Sequence, residues 1–107
     1  GLVKELETRV AKGVRFMNKE YGRSWLRKID PETLALEDGT ACIIGQVEGA
    51  YDSETLNRIG LDNEEARDLG FDAMGCDAGG DYAPVFHVLT KLWLKAIKQQ
   101  RSRWIRE

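Results

Sequence analysis

The two ends of the chain each repeat apolar side chains at steps of three and four positions, the spacing of one face of an α-helix. The stripe near the start of the chain contains Leu6, Val10, Val14 and Met17. It predicts a helix over residues 2–20 that ends at Gly22. The second stripe, from residue 81 onward, contains Tyr82, Val85, Phe86, Leu89, Leu92, Trp93, Ala96 and Ile97. Two long amphipathic helices must bury these faces against each other or against the residues between them.

Between these helices the sequence predicts short helices with polar first residues and glycine stops. The expected segments are a helical turn over residues 25–29, a helix that Asp30 and Pro31 open and that runs through Leu34, a helix from Asp52 or Ser53 to Gly60, and a helix from Asp62 to Gly70. Asp62 and Glu65 have the spacing of a capping box.

Residues 40–51 are ambiguous, because the β-branched side chains in residues 42–44 are typical of a buried strand. A strand needs a partner, and no second convincing strand occurs, so a helix is favoured. Ala41, Gly45 and Gly49 recur every four residues and predict a face without bulk that admits a neighbouring helix.

Taken together, these patterns predict an all-α fold, a compact single domain over residues 1–107 of about six short and long helices with a long amphipathic C-terminal helix. No stretch approaches the roughly 18 consecutive apolar residues that span a bilayer, and no apolar signal core follows the first residues. Two cysteines do not make a disulfide framework in a domain with 42% hydrophobic residues. We therefore expect a cytoplasmic protein with no membrane partner.

The formal net charge of -2 hides a strong separation of charge along the chain. Residues 1–29 hold eight basic and three acidic side chains, residues 30–82 hold two and fourteen, and residues 83–107 hold six and one. In one interpretation the basic terminal helices pack across the acidic middle. In the other they lie side by side and present one basic face to phosphates or to an acidic partner.

The C-terminal helix is long for a chain of this size. A helix over residues 81–105 would span about 37 Å, whereas a compact chain of this length has a diameter of about 34 Å. Residues 98–107 are therefore expected to form a basic tail that overhangs the body. Its candidate partner-binding residues are Lys98, Arg101, Arg103, Trp104, Ile105 and Arg106. Trp104 and Ile105 would also suit a homodimer contact through this helix.

Catalytic and metal-binding patterns are weak in this sequence. Cys42, Cys76 and His87 lack the short spacing of a zinc motif, and the chain has one histidine. Asp72, Asp77 and Asp81 do not match the alternating ligands of a calcium loop. The glycines between residues 75 and 80 follow no strand and precede no Lys-Ser or Lys-Thr pair. We expect no enzyme activity, no metal and no cofactor.

Four short pieces of the chain carry a family resemblance. They are Ile29-Asp30-Pro31-Glu32-Thr33-Leu34, Cys42-Ile43-Ile44-Gly45-Gln46, Leu69-Gly70-Phe71-Asp72, and Leu89-Thr90 with Trp93. Over residues 16–97 the chain resembles a family of short proteins encoded by actinobacteria and their phages. The family has no established activity or catalytic residues, so the resemblance implies a setting and no site. That setting is an accessory protein in the cytoplasm of a bacterial host cell.

Two functions remain in competition. The first is a non-enzymatic accessory protein, of phage or prophage origin, that acts by protein–protein interaction with a host or phage partner. The second is a nucleic-acid-binding module that uses the basic terminal helices, chiefly Lys91, Lys95, Lys98, Arg101, Arg103 and Arg106. The acidic middle opposes the second function unless it faces away from the ligand.

Overall fold

Six helices and their connections make up the described part of the chain in the computed structural model, which covers residues 1–73 and 82–106 and gives only the backbone of residues 104–106. The helices are α1 (Leu2–Tyr21), α2 (Trp25–Lys28), α3 (Ile43–Glu48), α4 (Ser53–Arg58), α5 (Asn63–Asp68) and α6 (Ala83–Arg106). The predicted all-α fold is confirmed, and so are the two long terminal helices. No helix within the described ranges is both long and apolar enough to cross a membrane.

Trp93 of α6 lies at the centre of the core. Its side chain is fully buried, and its indole Nε1–H donates to the carbonyl oxygen of Gly70 over 2.6 Å. The Phe71 ring stacks on the indole at 5.4 Å between centroids, and the Trp25 ring meets it edge to face at 6.3 Å. One side chain therefore joins α6 to α2 and to the residues that follow α5.

At Gly13 the backbone of α1 comes close enough to α6 to contact the Trp93 ring. A Cβ atom at this position would lie 2.7 Å from Trp93 Cζ2 and would overlap the carbonyl oxygen of Leu69. Five residues further along, the Asn18 amide contacts Gln100. Positions on the two helices advance together, so α1 and α6 run in the same direction. They also form the most extensive helix pair in the fold.

The short middle helices begin where their caps predict. Asp52 accepts the Thr55 N–H at the start of α4, and Asp62 and Glu65 form the predicted capping box at the start of α5. The Cys42 Sγ atom accepts the Gly45 N–H at the start of α3. These side chains satisfy N–H groups that the first turn of a helix leaves without a partner.

Two predictions about the middle of the chain are wrong. Residues 31–33 form a turn instead of opening a helix, because the Asp30 carboxylate accepts the Glu32 N–H and its carbonyl accepts the Thr33 N–H. The preference for helix over strand in residues 40–51 is confirmed, although the helix is shorter than expected and covers only Ile43–Glu48. The space where a Gly45 side chain would lie is filled by a loop and not by a helix, since a Cβ there would be 2.8 Å from the Thr40 carbonyl carbon.

The acidic middle is joined to α1 by a hydrogen-bonded cluster at Glu48. The Tyr21 hydroxyl donates to one carboxylate oxygen over 2.7 Å, and Arg58 Nη2 donates to the other over 3.1 Å. Together these contacts hold the pKa of Glu48 below its ordinary value, the Tyr21 bond contributing most. Burial, and then the carboxylate, raise the pKa of Tyr21.

Gly13→Ala separates helix propensity from packing. Propensity alone would stabilise the variant by about 1 kcal/mol, whereas overlap with Trp93 and Leu69 should lower the free energy of unfolding by about 2 kcal/mol. Gly39→Ala is the control, because its Cβ would meet Tyr51 at an ordinary 3.7 Å. Urea denaturation measures both variants. A Gly13→Ala protein as stable as the wild type would contradict the close approach.

Tyr21→Phe should destabilise the protein by about 1–2 kcal/mol at neutral pH, because it removes a hydrogen bond to a charged acceptor. A carboxyl group with a lowered pKa stabilises the fold above its unfolded pKa of about 4.3, and that contribution is lost as the pH falls through the folded pKa. The cost of Tyr21→Phe should therefore shrink as Glu48 is protonated. In a Glu48→Gln background it should not vary over the same acidic range, and a pH-independent cost in the wild-type background would refute the assignment.

Candidate binding groove

A groove of about 590 Å³ runs along the surface where α1 and α6 lie side by side. Each helix contributes six positions with the same spacing, so that one continuous stripe of each helix forms a wall. The α1 positions are Glu7, Val10, Ala11, Val14, Arg15 and Asn18, and the α6 positions are Leu92, Lys95, Ala96, Gln99, Gln100 and Arg103. Arg23, just after α1, completes the lining.

The lining combines an apolar floor with basic edges. Val10 and Val14 are buried, and Leu92 and Ala96 are half-buried along the same surface. In the described lining the ionised side chains are Arg15, Arg23, Lys95 and Arg103 against one carboxylate, Glu7. Because α1 and α6 are parallel, Glu7 lies towards one end of the groove and Arg103 towards the other.

No described residue from the acidic middle, residues 30–82, lines this groove. The two basic segments of the chain therefore do lie side by side, as the second interpretation of the charge pattern requires. The first interpretation also has a counterpart in the structure, since α5 packs against α1 and Tyr21 bonds to Glu48. The described residues of the acidic middle thus pack against α1 outside the groove lining.

A chain of hydrogen bonds runs from the core into the groove wall. The Trp25 indole Nε1–H donates to Asn18 Oδ1 over 2.9 Å. Asn18 Nδ2 then donates to Gln100 Oε1 over 3.3 Å. Asn18 and Gln100 both line the groove, so a buried tryptophan fixes two polar groups of the candidate site.

The described side chains of the predicted partner-binding tail, Lys98, Arg101 and Arg103, lie in three different environments. Arg103 is exposed and lines the groove, whereas Lys98 is exposed outside the lining. Arg101 Nη2 donates to the carbonyl oxygens of Leu26 and Ile29 over 2.6 and 2.7 Å, at the end of α2. Arg101 is thus a helix cap that ties α6 to the body, and any overhang begins after it. The side chains of the other three residues, 104–106, lie outside the described part.

Sequence reasoning missed most of the groove. The cations Arg15 and Arg23 and the amides of Asn18, Gln99 and Gln100 were not singled out, although Lys95 was included among the basic residues of the nucleic-acid hypothesis. The available signal was the repeated six-position stripe, which starts at Glu7 in α1 and at Leu92 in α6.

Of the three residues considered for catalysis, Cys42 and His87 lie in the described part of the chain and differ in exposure. Cys42 is buried, and burial raises the pKa of its thiol, which disfavours the reactive thiolate. His87 is exposed on α6. Cys76, Asp77 and Asp81 lie outside the described residues. The described residues contain no group of three His, Cys, Asp or Glu side chains that could hold a metal ion.

Arg101→Ala should destabilise the protein by about 1–3 kcal/mol, because two carbonyl groups lose a charged donor. Lys98→Ala is the matched control on the same helix, and its exposed side chain should contribute less than about 0.5 kcal/mol. Thermal and urea unfolding of the two variants give the comparison. Equal stability of Arg101→Ala and Lys98→Ala would show that the contacts to α2 do not stabilise the fold.

Comparison with known proteins leaves the groove to be interpreted from its own residues. No protein-family model, no curated protein and no solved structure matches the chain. The resemblance to actinobacterial and phage proteins therefore stays a prediction.

Proposed function

We propose that the protein is a non-enzymatic accessory protein that binds an acidic, amphipathic segment of a partner protein in the groove between α1 and α6. The observation that carries this proposal is the lining itself, in which four cations and one carboxylate surround an apolar floor. In keeping with the family resemblance, the partner would be a host or phage protein in a bacterial cytoplasm.

The dimensions of the groove favour a single segment over a broad docking face. A volume of about 590 Å³ accommodates a few anchoring side chains, and amphipathic helices commonly lay an apolar face into such a groove. Leu92 and Ala96 are half-buried there and offer the contact surface. A segment with apolar residues three and four positions apart would match it.

The charge of the groove selects an acidic segment and orients it. Lys95 and Arg15 stand on opposite walls, so carboxylates on both flanks of a bound helix would find a cation. Because Glu7 lies at one end and Arg103 at the other, the charge of the groove changes from negative to positive along its length. The more acidic end of the segment should therefore lie towards Arg103.

Nucleic-acid binding is the second candidate, and one observation favours it. Lys91, Lys95 and Lys98 are all exposed along α6, and the acidic middle contributes no described residue to the groove. A phosphate backbone would use these lysines with little need for the apolar floor. The two candidates therefore differ in how they depend on apolar groups in the ligand and on salt.

A displayed library of amphipathic helices tests the proposal directly. Its members share one apolar stripe, and their other positions vary among Glu, Gln, Ser and Lys. Selection on the wild-type protein should enrich acidic members, because only these complement the groove cations. Lys95→Glu should weaken the selected helices about tenfold, whereas Lys98→Glu, the same change one turn away and outside the lining, should weaken them less than about threefold.

Three results would overturn the proposal. They are a selection that enriches no members, a selection in which acidic members are enriched no more than neutral ones, and an equal loss of affinity in Lys95→Glu and Lys98→Glu. A labelled single-stranded or duplex oligonucleotide provides the competing arm. Tighter binding of the oligonucleotide than of the best helix, with affinity falling steeply as salt rises, would favour the nucleic-acid candidate.

A further inference from the structure

We infer that the hydrogen-bond chain from Trp25 through Asn18 turns the amide nitrogen of Gln100 into the groove, where Gln100 and Arg103 form a subsite for a side-chain carboxylate of the bound segment. This inference rests on the proposed function of the groove and names the group that the groove recognises at its basic end. Gln100 is thereby assigned as a specificity-determining residue and Asn18 as a positioning residue.

The donor-to-acceptor direction of this hydrogen-bond chain follows from Trp25. An indole N–H is a donor and has no acceptor, so the atom of Asn18 that faces it must be the carbonyl oxygen. Asn18 then has only its amide nitrogen to offer Gln100, which must present its own carbonyl oxygen. Turning the Gln100 amide around would set its N–H₂ group against that of Asn18 and break their hydrogen bond, and turning the Asn18 amide around would break both bonds.

The nitrogen of Gln100 is left facing the solvent in the groove. Among the described residues it donates to no protein acceptor, and no side-chain nitrogen or oxygen there is both buried and without a partner. Gln100 Nε2 must therefore be accessible, and Gln100 reaches the surface in the groove wall. The amide thus offers two N–H donors to a ligand, while its carbonyl oxygen is turned towards Asn18.

Arg103 adds a charge to these donors. It lies three positions after Gln100 on the same helix, a spacing that puts both side chains on one face, and both line the groove. A carboxylate has only acceptor atoms and forms stronger hydrogen bonds to charged donors than to neutral ones. An ammonium or guanidinium group has only hydrogen-bond donors, and it would face the donors of Gln100 and Arg103 without an acceptor between them. The pair therefore accepts Asp or Glu and rejects Lys and Arg.

Nuclear magnetic resonance with a small probe tests this subsite without any partner protein. N-acetylglutamate amide offers one side-chain carboxylate, and N-acetylglutamine amide is its neutral counterpart. Titration with the glutamate probe should shift the side-chain N–H₂ signals of Gln100 while those of Gln99, a neighbour in the same lining, move much less. The glutamine probe should shift neither. Equal shifts for the two residues, or no shift at Gln100, would overturn the inference.

Matched substitutions test the same subsite in the groove's own binding reaction. An acidic helix from the selection, amidated at its C terminus so that only side-chain carboxylates are offered, should bind Gln100→Glu about tenfold more weakly than Gln99→Glu. Both variants add one negative charge to the lining, so the difference isolates the lost donors. Equal weakening would refute the subsite while leaving groove binding intact. Failure of any acidic helix to bind the wild type would instead refute the proposed function.

Asn18→Asp tests the positioning step. Aspartate still accepts the Trp25 N–H but cannot donate to Gln100, whose amide should then reverse and present its oxygen to the groove. The Trp25 indole N–H signal should stay at its hydrogen-bonded position while the Gln100 signals lose their response to the glutamate probe. A Gln100 response that persists in Asn18→Asp would show that the hydrogen-bond chain does not determine the orientation of the Gln100 amide.

Discussion

The Trp93 indole packs against Gly13, and this contact determines how the two terminal helices are placed. With no side chain at Gly13, α1 approaches the Trp93 indole of α6 and the carbonyl of Leu69. The indole N–H then bonds to Gly70, and Phe71 stacks on the ring. These contacts hold both terminal helices and the end of α5 around one buried ring, where packing tolerates little change in volume.

Groove formation follows from that contact. Trp93 fixes the register of two parallel helices, and the stripe of each helix beside the shared core becomes a wall. Basic side chains that are far apart in the sequence, such as Arg15 and Arg103, then line one surface, while the acidic middle packs elsewhere on α1. The same arrangement brings Asn18 to Gln100 and so carries the orientation of the Trp25 N–H into the groove wall.

Local features of the sequence predicted the helices well, whereas their placement depended on contacts between distant residues. Periodicity gave the bounds of α1, and Asp62 with Glu65 gave the start of α5. The turn after Asp30 was missed because an Asp before Pro suits a helix start and a turn equally. Arg101 and Arg103 looked alike in the sequence, but two positions on a helix differ by about 200°. One therefore caps α2 and the other faces the groove.

A nuclear Overhauser spectrum of the unmodified protein shows directly whether Trp93 packs on Gly13 and aligns the two basic helices in parallel. We expect cross-peaks from the Gly13 Hα protons to Trp93 Hζ2 and Hη2, ring-current shifts that move those Hα protons away from ordinary helical values, and cross-peaks between the side-chain amide of Asn18 and the side chain of Gln100. Gly13 Hα protons at ordinary helical shifts, with no cross-peak to Trp93, would contradict this packing.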